Sequence, residues 1–410
     1  MGRVSPSEKR IASGAPSVLT FVLILNNGLQ ERRCSGLSRI VMGDVACAMG
    51  AIDAGLKFYA GYPITPSSEI AETFSELLPK HRGIYLQMED EIGSIMAVIG
   101  ASYAGYPAMT ATSGPGFSLM QEAIGYAAMA EIPITIVNVM RAGPSTGLAT
   151  QIGEGDLMQA IWGTHGDHPV VVFSPGNVRE FYIYTQKALY WAEKLRMPAI
   201  VLADEVVGHM RENVEFPEPI KIPARTVPEV SPEKYLPYAT VNGDAVPLPP
   251  LGQGYLWHVT GSAHGEDGFP TIKPDKVKAL LDRLNTKVER HRKELIEYET
   301  YELDGAETLV ISFASMGRVA KGVVVELRSQ GHKVGLIRPF TMWPFFKEEL
   351  RDIVNHVKPK KIVIPEINYG QLRLLVEWAL KGFDVPVLGV NVVNGDLIPP
   401  ELIEEAILHG

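Results

Sequence analysis

Between Met42 and about Arg211 the chain alternates short apolar runs with stretches of helical periodicity, and few architectures satisfy that alternation. Phe58 to Tyr62, Gly83 to Gln87, Ala108 to Ser113, Ile134 to Met140, Val170 to Ser174 and Ala199 to Ala203 read as buried strands, and Val178 to Leu195 is the clearest amphipathic helix between them. Strands separated by helices imply a parallel sheet covered on both faces, an α/β fold. From Glu212 to Asp275 the pattern dissolves into prolines, glycines and polar residues, including Pro247-Leu248-Pro249-Pro250-Leu251-Gly252-Gln253-Gly254. A connection of that length reads as a functional arm or interface loop. Lys276 to Tyr301 follows as a charged helix with Val277, Leu280, Leu281, Leu284 and Val288 on one face. A second α/β unit then has strands at Thr308 to Phe313, Lys333 to Ile337, Lys361 to Pro365 and Val385 to Val390. Its helices start near Arg318, Pro344, Gln371 and Pro399, with Gly331 closing the first of them. The division expected is an N-terminal extension (1–41), an α/β domain (42–211), a connecting arm and helix (212–305) and a smaller C-terminal α/β domain (306–410).

Composition narrows the partners. The chain has 410 residues, 46% of them hydrophobic and 21% charged, which is enough for two or three domains with sizeable cores. A net charge of −9 without a basic block argues against nucleic acid or an anionic membrane as the main partner. Cys34 and Cys47 are the only cysteines, so neither a disulfide framework nor the four-thiolate ligation of an iron–sulfur cluster can be built within this chain. The apolar run Ser17 to Leu25 is too short to span a bilayer, and no small-residue cleavage site clearly follows it. It reads as sequence upstream of the true start or as a tail ordered on assembly, with a cytoplasmic protein the expectation.

Several clusters carry chemistry. In Tyr62-Pro63-Ile64-Thr65-Pro66 the two prolines stiffen the loop and hold Thr65 out of the helical region. Thr65 reads either as a turn residue satisfying its own backbone or as a donor to a ligand. Glu91, in Met88-Glu89-Asp90-Glu91, falls where a strand gives way to a helix with Ile92, Ile95, Met96 and Ile99 at helical spacing. Taken alone it is a solvated acid in a helix first turn; at the carboxyl end of a strand it is also where open α/β sheets place ligands. Apolar neighbours, Glu89 and Asp90 would raise its pKa and the helix dipole would lower it. Thr112-Ser113-Gly114-Pro115-Gly116 is a βα turn whose amides, with Ser113 and Gly114 at its centre, could hold an anion. Arg141 closes a buried strand, where a guanidinium requires an anionic partner, internal or bound.

Those segments, with Arg141-Ala142-Gly143-Pro144-Ser145-Thr146-Gly147, Gly163-Thr164-His165-Gly166-Asp167-His168 and Pro365-Glu366-Ile367-Asn368-Tyr369-Gly370-Gln371, resemble in order the α subunit of the 2-oxoacid:ferredoxin oxidoreductases, most closely the 2-oxoglutarate branch. The resemblance covers roughly Met42 to Gly410. It implies a thiamine-diphosphate-binding-type parallel sheet, the pyrimidine-binding domain, followed by a transketolase C-terminal-like domain. The implied reaction is oxidative decarboxylation of 2-oxoglutarate with coenzyme A to succinyl-CoA, CO2 and reduced ferredoxin, or its reverse. Glu91 is implied to contact the pyrimidine, with Tyr62, Pro63, Ile64, Ser113 and Gly114 around the cofactor. Thr65 then faces the reacting 2-oxo group, Arg141 grips the substrate carboxylate and Thr150 is a neighbouring contact. Ala149 replaces the proline that the family usually has before that threonine. His165 and His168 read either as a structured loop before a strand or as contacts to the distal carboxylate of a dicarboxylic substrate. Glu366, Asn368 and Gln371, at the end of a second-domain strand, read as a site or an interface, the interface being favoured, and the resemblance assigns them no chemical role.

No Gly-Asp-Gly segment occurs; the Gly-Asp pairs at 43, 155, 166, 243 and 395 all lack the third glycine. In enzymes of the resembled kind a Gly-Asp-Gly segment holds the diphosphate through a metal, so the resemblance implies that the diphosphate and Mg²⁺ half of the cofactor lies on a β subunit and the iron–sulfur clusters on partner chains, with a γ and a ferredoxin-like δ subunit among the partners. No metal ligand is assigned here. The alternatives are the same reaction on a branched-chain 2-oxoacid or pyruvate, the related subunit of lipoamide-linked dehydrogenases, and a non-catalytic scaffold.

Overall fold

The structure is a computed structural model that describes residues 38–410; the apolar run at 17–25 and Cys34 lie outside the described residues. The strands are β1 (Arg39–Met42), β2 (Phe58–Gly61), β3 (Ile84–Gln87), β4 (Ala108–Thr112), β5 (Ile134–Met140), β6 (Val171–Phe173), β7 (Pro198–Asp204), β8 (Arg211–Val214), β9 (Thr240–Val241), β10 (Asp244–Ala245), β11 (Tyr298–Tyr301), β12 (Thr308–Ile311), β13 (Val334–Pro339), β14 (Thr341–Trp343), β15 (Lys361–Glu366) and β16 (Val387–Asn391). The six apolar runs before residue 211 are the strands β2 to β7, but the run at Gly83 to Gln87, expected to be buried, is the largely exposed β3, because it lies at the edge of its sheet.

The larger sheet has the order β14-β6-β7-β5-β4-β2-β3. Strands β2 to β7 run parallel. Along β5 the side chains alternate between faces, so that Ile134 and Ile136 enter one core and Val137 and Val139 the other, as a strand buried on both sides requires. The chain leaves β2 toward β3 on one side, and leaves β4 toward β5 on the other. Their junction, beyond the carboxyl ends of β2 and β4, is the topological switch point, where open α/β sheets place their ligands.

Helices cover each face. Gly43–Ala54, Ser68–Leu77 and Val178–Leu195 pack on one, and Glu91–Tyr103 and Gln121–Met129 on the other. The second sheet has the order β11-β13-β12-β15-β16, parallel except for β11.

The structure departs from the pattern reading in several places. Strand β14, from the second half of the chain, joins the first sheet antiparallel beside β6, a pairing across about 170 residues that no local periodicity reports. The helix expected from Lys276 to Tyr301 is Pro274–Arg290 and a short turn, after which the chain enters β11. The helix expected to start near Pro344 starts at Lys347. Arg39 to Val41, placed in the N-terminal extension, belong with Met42 to β1 and pair with β8; a four-residue strand is too short to show alternation.

The segment 212–275 is largely irregular, yet it is anchored. The Arg196 guanidinium donates to the carbonyls of Pro237 at 2.7 Å and Val246 at 2.6 Å, and the Tyr238 hydroxyl donates to Ala130 O at 3.1 Å. Helix Pro274–Arg290 is tied down by Arg283 and Lys287, which both reach the buried carboxylate of Glu131.

Candidate active site at the sheet switch point

Glu91 is the first residue of helix Glu91–Tyr103. The cap is Asp90, whose carboxylate accepts from Gly93 N at 2.7 Å and so takes the place at the helix N-terminus that stabilises an acid. Glu91 is thereby free to turn inward, and it is only 5% exposed. Its carboxyl lies over Gly116, where an added Cβ would stand 2.3 Å from Glu91 Oε1 and 2.2 Å from Thr112 Oγ1. Burial pushes the Glu91 pKa above the ordinary carboxyl value, Asp90 adds to the shift, and its own backbone amide and Arg141 oppose it. Desolvation is therefore the larger effect. Its source differs from the expected one: Ile95 is buried, but Ile92 is 50% exposed, and Gly116 beyond β4 lies against the carboxyl.

Arg141 closes β5 and is 7% exposed. Its guanidinium donates to Thr65 O at 2.7 Å and Thr146 O at 3.0 Å, tying the β2 exit loop to the β5 exit loop. The buried Nε has no partner. Burial lowers the Arg141 pKa, while Asp156 and Glu91 hold the charge in place. The loop after it closes on itself through Leu148 N to Ala142 O at 2.9 Å and Ala142 N to Gln151 O at 2.9 Å. Gly147, at φ +53, must be glycine, because an added Cβ would meet Ala142 O at 1.9 Å.

Ser113 is fully buried in extended conformation at the start of helix Gly114–Leu119, and its Oγ makes no hydrogen bond. Gly114 faces Asp156, whose carboxylate accepts from Asn138 Nδ2 at 2.9 Å. Burial raises the Asp156 pKa against Asn138 and Arg141. Neither Asp156 nor Asn138 was among the residues singled out from sequence. Asn138 did leave a signal, as the one amide in the apolar run Ile-Thr-Ile-Val-Asn-Val-Met.

Thr65, Glu91, Ser113, Gly114 and Arg141 thus stand together on four exit loops. Tyr62 and Pro63 are exposed and Ile64 half-buried beside them, and Thr150 is an exposed residue of the Arg141 loop. His165 and His168 are not brought to this cluster. They precede β6, which runs parallel to β7 and β5, and so enter the sheet from the opposite end; the His168 ring bonds Gly166 O at 3.1 Å.

Asn368 and Gln371 join the two α/β units inside the chain, whereas Glu366 holds the start of helix Gln371–Ala379 within its own unit. Glu366 accepts from Leu372 N at 2.7 Å and Asn368 donates to Glu154 O at 2.9 Å. Gln371 bonds both Met158 N and Gly155 O.

A buried carboxyl of raised pKa, a glycine floor that a methyl group would fill, and the unpartnered Ser113 Oγ and Arg141 Nε suit a flat heteroaromatic ring with an exchangeable proton and an anionic substrate beside it. These residues fit the pyrimidine half of thiamine diphosphate. Beside them lies an apolar surface: Ile84 and Leu86 on edge strand β3, and Ile92 and Met96 one helical turn apart, are each more than two-fifths exposed. Among the described residues no helix is long and apolar enough to cross a membrane.

Comparison with known proteins gives the class first. A split-gene transketolase in an inactive β4 tetramer superposes over 91% of this chain and 97% of its own at TM-score 0.54 and 12% identity, which establishes a shared fold. Residues 49–282 match the pyruvate flavodoxin/ferredoxin oxidoreductase thiamine-diphosphate-binding domain, and residues 306–403 match pyruvate:ferredoxin oxidoreductase core domain II. A 2-oxoglutarate synthase subunit KorA of Methanocaldococcus jannaschii is 46% identical over 369 residues, covering 90% of this chain and 98% of that one. Ketoisovalerate oxidoreductase subunit VorB of Methanothermobacter thermautotrophicus is 34% identical over 367 residues, covering 88% and 94%. A solved 2-oxoglutarate:ferredoxin oxidoreductase from Magnetococcus marinus, with 2-oxoglutarate, coenzyme A and succinyl-CoA bound, superposes at TM-score 0.85 and 33% identity over 90% of this chain, which spans 64% of that one. The chain belongs to the 2-oxoacid:ferredoxin oxidoreductase family.

Proposed function

We propose that this chain is the α subunit of a 2-oxoglutarate:ferredoxin oxidoreductase. Its reaction is oxidative decarboxylation of 2-oxoglutarate with coenzyme A to succinyl-CoA, CO2 and reduced ferredoxin, or the reverse. The observation that carries this reading is the buried Glu91 carboxyl seated over Gly116 at the switch point, held above its ordinary pKa and next to Arg141. The greater identity to the 2-oxoglutarate synthase subunit than to the ketoisovalerate one supports the choice of substrate.

When bound, thiamine diphosphate supplies the carbanion chemistry of decarboxylation. Glu91 would hold the pyrimidine ring and share a proton with its nitrogen, a role that suits a carboxyl whose pKa burial raises above the ordinary value. Arg141 offers its free Nε–H to the carboxylate beside the 2-oxo group while its two terminal nitrogens hold the Thr65 and Thr146 loops in position. Thr65 presents its hydroxyl to the 2-oxo oxygen, and Thr150 stands on the same loop as Thr146. His165 and His168 precede β6, at the end of the sheet opposite the exit loops, so no contact to the distal carboxylate is assigned to them in this reading.

Mg²⁺ and the diphosphate belong to a β subunit, and the iron–sulfur clusters to β, γ or δ chains. The exposed apolar surface of β3 and helix Glu91–Tyr103 supports docking of the β subunit against Glu91, as does the lack of a Gly-Asp-Gly segment. The test is co-purification from the native host followed by a substrate assay. A complex containing a Gly-Asp-Gly chain and reducing viologen with 2-oxoglutarate in preference to pyruvate and 2-oxoisovalerate is expected; preference for either of the others overturns the substrate assignment.

A further inference from the structure

On the face of the sheet opposite Glu91, three helix ends converge. Asp44 lies in the first turn of helix Gly43–Ala54, Glu69 in the first turn of helix Ser68–Leu77, and His209 ends the short helix Glu205–His209. One ligand atom from each lies within 4.8 Å of the others. Asp44 is fully buried, and neither of its carboxylate oxygens has a hydrogen-bond partner. A carboxylate so placed is costly unless a cation or proton meets it. Gly208 gives it room, since an added Cβ there would stand 2.8 Å from Asp44 Oδ1.

The histidine is prepared for the same purpose. His209 Nδ1 bonds Glu205 Oε1 at 3.1 Å, which leaves Nε2 facing inward, 3.4 Å from Glu69 Oε2. A carboxylate behind the imidazole is the arrangement that orients metal-ligating histidines and raises their basicity. The side chains of His209 and Glu69 are about one-third exposed, which gives an ion a way in.

We propose that Asp44, Glu69 and His209 form a binding site for a divalent first-row transition cation such as Zn²⁺, separate from the cofactor site. Two carboxylates and one imidazole suit such an ion, and three protein ligands leave a position for water. The ion cross-links structure that positions the active site. Glu69 stands four residues beyond Thr65, in a turn where Ser67 bonds Ile64 O through both Oγ and N. Asp44 and Gly208 pack by Val139, two residues before Arg141. The competing occupant is a proton, with a protonated His209 paired to Glu69 and Glu205.

The test uses the full-length chain, free of affinity tags and stripped with a chelator. It is titrated with Co²⁺ in equilibrium dialysis, with visible absorption recorded. One equivalent bound at micromolar free Co²⁺ is expected, with d–d bands that Zn²⁺ displaces. Asp44→Asn and Glu69→Gln should remove this binding while circular dichroism stays unchanged, and Glu205→Gln should weaken it by roughly 10- to 100-fold. His209→Gln, at a partly exposed position, serves should a buried variant fail to fold. Less than a tenth of an equivalent (~0.1) on the unmodified chain, far short of the saturation expected when ligand exceeds Kd, overturns the proposal and leaves the proton as occupant. Unchanged binding in the folded variants overturns it equally, because the ion then sits elsewhere.

Discussion

At the residue scale, Glu91 carries opposing demands of stability and function. A carboxyl whose folded pKa lies above its unfolded value binds protons more readily in the folded state, so its contribution to stability falls as pH rises through the interval between the two. Glu91→Gln removes that burden. The variant is expected to unfold at higher denaturant than the parent at pH 7, with the gap closing as pH falls below the ordinary glutamate pKa, about 4.3; a variant less stable at pH 7 contradicts the assignment of burial as the dominant effect. Gly116→Ala tests the floor beneath the same carboxyl. The added methyl must displace Glu91 or Thr112, at a cost of about 1–3 kcal/mol in stability and roughly a hundredfold in kcat/KM for a misplaced catalytic group. Arg141→Lys keeps the charge but can no longer hold two loops and a carboxylate at once. A loss of about 1.5–3 kcal/mol, roughly ten- to hundredfold in kcat/KM, follows from one charge-assisted bond, and it should be equal for 2-oxoglutarate and pyruvate, since both carry that carboxylate.

Among the elements, the central parallel strands of the two sheets were legible because a strand buried on both faces writes itself as an uninterrupted apolar run, and the edge strand β3 was legible as an apolar run although it is largely exposed. The loops carrying Thr65, Glu91 and Arg141 were legible for the same reason, as polar residues just beyond such runs. What escaped was non-local. Strand β14 pairs with β6 from the far half of the chain, and Asp156 reaches Asn138 and Arg141 only through a loop fold that spacing does not encode. His165 and His168 had a suggestive pattern, but pattern does not report which end of a strand a loop occupies. Helix Pro274–Arg290 was legible as amphipathic, although its polar anchor was not: Lys287 is completely buried against Glu131. Burial alone would raise the Glu131 pKa, but Lys287, Arg283 and Arg196 outweigh it and hold the carboxyl below its ordinary range. Lys287→Met should destabilise the chain by about 3–5 kcal/mol at pH 7, as loss of one partner of a buried pair does. Because Glu131 contributes stability above the unfolded carboxyl pKa and loses it as pH falls through its depressed folded value, the penalty should shrink in acid. Urea midpoints at pH 7 and pH 4 measure both.

For the whole molecule, we propose that this chain presents half of an active site. It has Glu91, Thr65 and Arg141 at a sheet switch point, an apolar surface beside them, and neither the Gly-Asp-Gly segment nor the cysteines that the complete reaction requires. The most direct measurement is 2-oxoglutarate-dependent viologen reduction by three preparations: the chain alone, the chain assembled with its co-purifying partners, and the same assembly carrying Glu91→Gln. The account predicts turnover only in the second, with the third intact by size-exclusion chromatography. Turnover by the chain alone, or near-normal turnover by the intact Glu91→Gln assembly, would contradict it.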